Sequence, residues 1–300
     1  MNLQSLKELV SKQFNHPVGS IALATVGGGS INDGYKITIG QNRQYFLKLN
    51  SATKFPQLFE KEKNGLSFLA SHNRILTPNV IRTSTVDSYQ LLFLEWVEEG
   101  ARNETFWQKF GEQLAALHQV NASDFGYMED NYMGSLVQVN TVTEHWSDFF
   151  VGNRLRPQIE LAAHNKLLQK SHILSFESLI KNISSIFNPE KPSLLHGDLW
   201  SGNFLCNKRS LPVLIDPAVY FGHRCIDLAM TTMFGGFDRR FYDSYNYYYP
   251  FPANYREQWE ICNLYPLLIH LNLFGLGYLD DITKTLKRFA ASRPSQKEEF

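Results

Sequence analysis

The chain has 300 residues, and its 29 lysine and arginine residues balance 29 aspartate and glutamate residues, so the formal net charge at pH 7 is zero. This balance argues against nucleic acid or an anionic membrane as the main partner, because proteins that bind those surfaces usually carry an excess of basic residues. The composition, 43 % hydrophobic and 19 % charged, is typical of a folded chain. At this length we expect one large domain or two ordinary domains.

The sequence predicts a cytoplasmic protein without a disulfide framework. Residues 1–14 show no basic start, long apolar run or small-residue cleavage site of the kind found in signal peptides. The most apolar late stretch, residues 267–279, is interrupted by polar residues and is too short to span a bilayer. The cysteines are odd in number and have no CxxC spacing, which predicts neither a disulfide framework nor a zinc site. They are Cys206, Cys225 and Cys262.

The first hundred residues predict a small sheet with two helices. Apolar residues recur at helical spacing in residues 3–14 and 54–70. Short β-rich runs separated by turn residues predict strands. These strands are expected at residues 21–26, 35–39, 45–49, 80–85 and 90–96. Strands, a helix and further strands in this order predict a compact α+β domain at residues 1–96.

From about residue 103 the apolar spacing is mostly helical. Helices are expected at residues 105–118, around 146–149, and at 155–170, 174–186, 226–234, 255–273 and 279–290, with a long loop at 121–140. An island at residues 193–220 breaks the pattern, since two short apolar runs there end in polar residues. The polar segment 96–102 is the predicted linker, so a second domain is expected at residues 97–300.

That island carries the most informative strings of the sequence. Residues 194–204 are LLHGDLWSGNF, and LIDPAVY follows at 214–220. Asp198 and Asn203 are five positions apart, and Asp216 lies thirteen positions after Asn203. Phosphoryl transfer from ATP needs a carboxylate that takes the acceptor's proton and two oxygen ligands for Mg²⁺. The spacing is that of the kinase catalytic loop HxDxxxxN and its later metal-binding aspartate.

The same residues also have ordinary structural explanations. Asp198 could cap a turn, and Asp216 could end a strand. A match to HxDxxxxN alone arises by chance in about one chain in a hundred of this size. The apolar run before each polar group, and the second aspartate at the right distance, favour the catalytic interpretation.

The N-terminal part offers groups that suit a nucleotide. Gly28, Gly29 and Ser30 lie in a glycine-rich turn between two predicted strands, where backbone amides can approach phosphate. A flexible hairpin turn explains them equally well. The turn is not GxGxxG and opens no helix, which disfavours a dinucleotide-binding fold. Lys48 in the following strand is placed as a kinase places the lysine that contacts ATP phosphates.

A glutamate on the next helix is expected to pair with that lysine. Glu62 rather than Glu60 is the predicted partner of Lys48, because its offset from the apolar positions of the helix suits the inward face. The segment 92–97 (LFLEWV) is the predicted hinge. The backbone of its last three residues is expected to bind the adenine ring. They are Glu95, Trp96 and Val97.

Together these features resemble the fructosamine (ketosamine) 3-kinases, relatives of the aminoglycoside phosphotransferases, over nearly the whole chain. The matching strings are GGGSIND at 27–33, FLKLN at 46–50, FEKEKNGL at 59–66, FLEWVEEG at 93–100, LAALH at 114–118, RLRPQ at 154–158, LLHGDLWSGN at 194–203, IDPAVYFGHRCIDLAM at 215–230 and LYPLLIHLNLFGLGY at 264–278. The resemblance implies a two-lobed, protein-kinase-like α+β fold. Its N-terminal lobe at 1–96 would bind ATP, and its larger, mainly helical lobe at 97–300 would bind the substrate.

The resemblance also implies a reaction, namely ATP-dependent phosphorylation at O3 of a ketosamine. The acceptor would be a small molecule or a glycated lysine on a protein, and breakdown of the product would release the amine. The family pattern makes Asp198 the base, Asn203 and Asp216 the Mg²⁺ ligands, and Lys48 with Glu62 the pair that positions the phosphates.

Further residues of the matching strings are candidates for the acceptor site. Trp200, His223 and Arg224 are expected to contact the substrate, with a packed core tryptophan as an equal alternative for Trp200. Asp227 is expected to cap or brace the helix that follows it. His196 is expected to support the backbone of the catalytic loop.

Two positions depart from the family pattern. Cys225 replaces the usual acidic residue, and Ile269 replaces an asparagine often found before the late histidine. Both changes concern substrate fit or packing rather than ATP. A kinase for another hydroxylated metabolite, such as an aminoglycoside, choline or a thiosugar, remains an alternative. A catalytically dead kinase-like binding module is disfavoured because all the ATP-handling residues are present.

Overall fold

A computed structural model describes residues 2–27 and 31–291. The helices are α1 (Leu3–Phe14), α2 (Leu58–Ser71), α3 (Glu104–His118), α4 (Trp146–Phe149), α5 (Arg156–His164), α6 (Lys170–Ile180), α7 (Cys225–Met230), α8 (Arg239–Tyr248), α9 (Tyr255–Cys262), α10 (Leu264–Phe274) and α11 (Leu279–Ala291). The strands are β1 (Ile21–Val26), β2 (Asp33–Ile39), β3 (Arg43–Ser51), β4 (Val80–Val86), β5 (Tyr89–Glu95), β6 (Asn131–Met133), β7 (Leu136–Gln138), β8 (Ser193–Leu195), β9 (Phe204–Cys206), β10 (Pro212–Leu214) and β11 (Tyr220–Gly222).

The chain divides into two compact units. The first consists of Met1–Phe110 and Gly202–Pro217, and the second of Gly111–Ser201 and Ala218–Phe300. This division differs from the predicted boundary at 96/97. The reason is that the predicted linker pairs with the hairpin β9–β10, because the backbone N–H of Gly100 donates to the carbonyl of Cys206 at 2.8 Å.

The first unit contains a five-stranded antiparallel sheet in the order β1-β2-β3-β5-β4. The predicted strands are therefore confirmed, and β3 is the central one. Helix α1 packs on the sheet through Leu6, Leu9 and Val10. Helix α2 begins four residues later than the predicted start at residue 54. Pro56 explains the delay, because a proline disfavours the helical conformation of the residue before it.

The second unit is mainly helical and buries a large aromatic and aliphatic core. Strand β8 pairs with β11, and β6 pairs with β7 inside the stretch that was predicted as a loop. The long helix predicted at 255–273 is two helices, α9 and α10, with Asn263 between them and a proline in the first turn of α10. The predicted α+β fold class is confirmed. Among the described residues, none of the helices is both long and apolar enough to cross a membrane.

Candidate active site

Lys48 lies at the centre of a buried charge cluster in the first unit. It stands on the central strand β3, and its side chain is 4 % exposed. Its Nζ lies 2.6 Å from Oε1 of Glu62 on α2 and 2.6 Å from Oδ1 of Asp216. The side chain of Glu62 is 9 % exposed, whereas that of Asp216 is 39 % exposed. One cation thus joins two carboxylates, and the carboxylate of Asp216 is the more accessible to solvent.

The electrostatics of this cluster keep the lysine charged. Burial alone would lower the pKa of Lys48, but the carboxylates of Asp216 and Glu62 outweigh burial, so the pKa of the lysine is raised. Burial raises the pKa of Glu62 to about 7, with Lys48 opposing this shift and Asp216 adding to it. When both carboxylates are ionised, the cluster has an excess of negative charge.

Glu60, the other glutamate considered for the pair, lies on the solvent side of α2. Its side chain is 49 % exposed and lies 2.9 Å from Lys63 Nζ. It also accepts a hydrogen bond from the hydroxyl of Thr83. Residues two positions apart on a helix point in different directions, so Glu62 alone of the two reaches Lys48.

Asn203 and Asp216 flank the hairpin β9–β10 in the first unit. Ile215 donates its backbone N–H to the carbonyl of Asn203 at 3.1 Å, so the two polar residues lie at the same end of the hairpin. Asn203 is buried, and Asp216 has a left-handed backbone with φ of +56°, which aspartate tolerates better than most residues. Both side chains offer oxygen atoms, the ligands that Mg²⁺ prefers in proteins.

The residues predicted to bind adenine lie at the end of β5 and directly after it. Glu95 ends β5, and its carboxylate accepts a hydrogen bond from Asn79 Nδ2 at 2.7 Å. The ring of Trp96 packs against Lys36, whose Nζ lies 4.3 Å from the ring centre, and Val97 is half-buried. The residues predicted to approach the phosphates, Gly28, Gly29 and Ser30, lie outside the described residues.

In the second unit, Asp198 lies in a tight loop after β8, and its side chain is half-buried. Gly197 has φ of +84°, and a side-chain carbon at this position would collide with the carbonyl oxygen of Ala218. Only glycine fits there. The backbone N–H of Asp198 donates to Nδ1 of His196 at 3.2 Å. His196 therefore supports the backbone of this loop, which is the role predicted for it.

Asp227 braces the same loop. Its two carboxylate oxygens accept the backbone N–H groups of His196 at 2.7 Å and Gly197 at 2.8 Å. One of these oxygens also lies 3.1 Å from Nε2 of His118, and Nδ1 of His118 lies 2.8 Å from the hydroxyl of Tyr245. Since all three side chains of this network are fully buried, the carboxylate holds the loop backbone in one conformation.

Trp200 belongs to a partly exposed aromatic surface of the second unit. Its ring meets that of Phe234 edge-on at a centroid distance of 5.5 Å, and the Phe234 ring lies 5.0 Å from that of His270. Burial lowers the pKa of His270, whose Nδ1 is hydrogen-bonded to the carbonyl of Pro266 at 2.7 Å. Trp200 packs against the core yet remains only partly buried, so the packed-core alternative and the substrate contact both stay open for it.

His223 and Arg224 are buried in the second unit, unlike Trp200. Arg224 donates to both carboxylate oxygens of Glu190 at 2.9 Å, and its guanidinium lies 3.7 Å from the ring centre of Tyr249. Nε2 of His223 lies 3.3 Å from the carbonyl oxygen of Asn188. These contacts favour a packing role for both residues over the substrate contact predicted from the sequence.

The sequence reasoning missed a buried arginine in the string RLRPQ. Arg154 is fully buried, and its guanidinium lies 4.0 Å from the ring centre of Tyr220 and 5.4 Å from that of Tyr265. It donates to Asn140 Oδ1 at 2.7 Å and to the carbonyl of Val139. The one hint in the sequence was that Arg154 lies in RLRPQ, a string that matches the family pattern.

This arginine belongs to a polar network that reaches the loop that carries Asp198. Oδ1 of Asn131 accepts hydrogen bonds from both Asn140 at 3.2 Å and Gln138 at 2.8 Å. Gln138 donates in addition to the carbonyl of Ala218 at 3.1 Å. It also accepts a hydrogen bond from the hydroxyl of Tyr265 at 2.9 Å. Ala218 in turn donates its N–H to the carbonyl of His196 at 2.8 Å. The network therefore adds a second support to the loop besides the hydrogen bonds that its backbone donates to Asp227 on α7.

Known proteins of similar sequence and structure match nearly the whole chain. A probable ketoamine kinase from Synechocystis is 36 % identical over 288 residues, which cover 95 % of this chain and 96 % of that protein. The crystal structure of a candidate fructosamine-3-kinase from Thermobifida fusca superposes with a TM-score of 0.85 at 30 % identity, covering 97 % of this chain and 100 % of the other.

A more distant neighbour shares the fold. A variant of the aminoglycoside phosphotransferase APH(4)-Ia, solved with AMP-PNP and hygromycin B, superposes with a TM-score of 0.65 at 15 % identity, covering 96 % of this chain and 99 % of the other. The fold is thus that of the kinase-like phosphotransferases. The family model described as fructosamine kinase matches residues 2–292. The chain therefore belongs to the fructosamine kinase family.

Proposed function

We propose that this protein transfers the γ-phosphoryl group of ATP to the O3 hydroxyl of a ketosamine. The observation that carries the proposal is the buried cluster of Lys48, Glu62 and Asp216 in a chain of the fructosamine kinase family. A lysine held by a helix glutamate is the device by which kinases position phosphates. The ketoamine kinase and fructosamine-3-kinase among its relatives support the acceptor class.

ATP is the proposed phosphoryl donor. The neighbouring phosphotransferase crystallised with AMP-PNP supports use of a nucleotide. In this chain Lys48 would release Asp216 and contact the phosphates, while Glu62 keeps the ammonium group in place. The backbone of Glu95 and Val97, at the end of the sheet, would bind the adenine ring.

Mg²⁺ is the proposed metal, and the donor groups fit it. Asn203 and Asp216 supply an amide and a carboxylate oxygen at one end of a hairpin, and the carboxylate is partly exposed. Among the described residues there is no group of three His, Cys, Asp or Glu side chains that could hold a metal. A site with two protein ligands suits Mg²⁺, which is commonly completed by water and substrate phosphates. When bound, the ion neutralises charge on the phosphates.

Asp198 is the proposed base. Its carboxylate would orient the acceptor hydroxyl and take its proton, while Asp227 and Gly197 keep the loop backbone in place. Trp200 would offer an aromatic face to the sugar. Most of the rate enhancement would come from positioning and charge stabilisation, because phosphoryl transfer needs little covalent chemistry from the protein.

The acceptor is proposed to be a small ketosamine or a glycated lysine on a protein, with loss of the phosphorylated sugar and release of the amine as the outcome. The cytoplasmic location stays a prediction. The test is phosphate transfer from ATP to synthetic fructosamine, ribulosamine and erythrulosamine. Hygromycin B and choline are tested separately as alternative acceptors. We expect a 3-phosphate, detected by ³¹P resonance and mass, on at least one ketosamine. Phosphorylation confined to hygromycin B or choline would overturn the proposal.

A further inference from the structure

Two of the three cysteines meet in the core of the second unit. Cys225 is the first residue of α7, and Cys262 is the last residue of α9. They are 37 positions apart in the sequence, yet their sulfur atoms lie 2.6 Å from each other. Both residues are at most 2 % exposed. In a disulfide the sulfurs are about 2.05 Å apart, so closing this pair requires a movement of roughly half an ångström.

From this geometry we propose that Cys225 and Cys262 are an oxidisable pair that forms an intramolecular disulfide between α7 and α9. The bond does not depend on the proposed substrate or on ATP.

The oxidation can be written with hydrogen peroxide as the oxidant. The Cys225 sulfur attacks one peroxide oxygen, the O–O bond breaks, and a sulfenic acid and one water molecule form. The Cys262 sulfur then attacks the sulfenic sulfur, so the S–S bond forms, the S–O bond breaks and a second water molecule leaves. Two thiols and one peroxide give one disulfide and two water molecules, with two electrons passing from sulfur to oxygen.

The surroundings of the pair make the reaction slow but possible. Burial raises the pKa of the Cys225 thiol well above its ordinary value, the neighbouring Cys262 adds to the rise, and His223 opposes it. His223 accepts the backbone N–H of Cys225 through Nδ1 at 3.3 Å, so the lone pair of this nitrogen is already engaged and does not take the thiol proton. Other charged groups at this end of α7 are Arg224 and Glu190, which are paired with each other. We therefore expect oxidation over minutes to hours rather than seconds.

The disulfide would act on the catalytic loop through α7. Asp227 lies two residues after Cys225 and holds the backbone of His196 and Gly197. A covalent link from the start of α7 to α9 restricts the motion of this short helix and reduces the conformational freedom of the unfolded chain. Oxidation should therefore raise the melting temperature by several degrees.

The experiment uses the full-length native protein, treated with hydrogen peroxide, then denatured and alkylated with iodoacetamide. We expect loss of two hydrogen atoms by intact mass, one alkylated thiol (Cys206) and a peptide pair linked through Cys225 and Cys262. Dithiothreitol should restore three alkylated thiols. Cys206→Ser is the matched control and should keep the linkage, whereas Cys225→Ala and Cys262→Ala should each remove it.

Three alkylated thiols after oxidation, a linkage that includes Cys206, or sulfinic acid at Cys225 without a linkage would overturn the proposal. The two alanine variants replace one buried cysteine each, so one of them could fold poorly. The linked peptide and the intact mass of the wild-type protein show whether the disulfide forms, even if neither variant folds.

Discussion

Lys48 in the first unit and His118 in the second are both buried beside carboxylates, yet the two clusters differ in how their charge is satisfied. Lys48 faces two carboxylates, of which Asp216 is partly exposed. Asp227, by contrast, has its oxygens occupied by two backbone N–H groups and by His118. A cluster with surplus negative charge and an accessible oxygen is suited to a further cation, whereas a fully paired carboxylate is suited to holding a backbone.

Under the proposed function, this difference separates groups that would bind ligands from groups that position the loop. Substitutions of Lys48, Glu62 or Asp216 should change nucleotide binding, and those at Asp227 should change turnover and stability together. Asp198, on the loop that Asp227 braces, should affect turnover alone.

The largest effect is expected for Asp198→Asn. An amide cannot take the proton of the acceptor hydroxyl, and general bases commonly contribute about 10²–10⁴-fold to a rate, so kcat should fall by at least about 100-fold. Steady-state phosphorylation of the best ketosamine measures this. Asp281→Asn, on the exposed face of α11, is the control and should keep normal kcat. A variant at Asp198 with more than about a tenth of the normal kcat would show that the base lies elsewhere.

A smaller effect on turnover, joined to lower stability, is expected for Asp227→Asn. The amide has one oxygen, so one of the two backbone N–H groups of the loop would lose its acceptor. An unsatisfied buried donor costs about 1–3 kcal/mol, and a displaced loop lowers kcat. Urea unfolding and kcat are measured on the same samples. Asp243→Asn, an exposed partner of Arg239, should change stability by less than about 0.5 kcal/mol. Normal stability of Asp227→Asn would contradict the bracing role.

A pH effect is expected from Glu62. Its pKa is raised from 4.5 to about 7 in the folded protein. Between these two pH values the folded state binds more protons than the unfolded state, so the free energy of unfolding should fall as the pH rises. One group contributes at most about 1.4 kcal/mol per pH unit. Denaturant unfolding from pH 4.5 to 7.5 in the presence of a chelator should show a shallower fall for Glu62→Gln. An identical profile for the variant would contradict the raised pKa.

The smallest effect is expected for Glu60→Gln, which is the matched control for Glu62. Its carboxylate is exposed and paired with Lys63 on the helix surface, and such pairs contribute about 0.5 kcal/mol or less. Both the stability at pH 7 and its pH profile should stay close to the wild type. A loss of more than about 2 kcal/mol would mean that the two glutamates share one role.

Many of the elements that form the two clusters could be predicted from the sequence, because the sequence patterns that indicate them are local. The strands of the first sheet show short β-rich runs, and the choice of Glu62 over Glu60 follows from helical periodicity. The loop around Asp198 is recognisable because phosphoryl transfer fixes the order and spacing of a few polar residues.

The remaining features depend on contacts that only the fold creates. Arg154 is a buried cation stacked on aromatic rings, but in the sequence a buried arginine resembles an exposed one. The strands β6 and β7 have three residues each, too few to show a period. Cys225 and Cys262 meet because α7 packs on α9, and the unit boundary within α3 follows from the pairing of the predicted linker with β9–β10.

The most direct test of the proposed division between the groups that bind the nucleotide and the loop that Asp227 braces is calorimetric titration of Mg²⁺·AMP-PNP into the wild type, Asp198→Asn and Asp216→Ala. Our account predicts that Asp198→Asn binds the nucleotide within a few-fold of the wild type, whereas Asp216→Ala loses Mg²⁺-dependent binding. Unchanged affinity in Asp216→Ala, or loss of binding in Asp198→Asn, would contradict it.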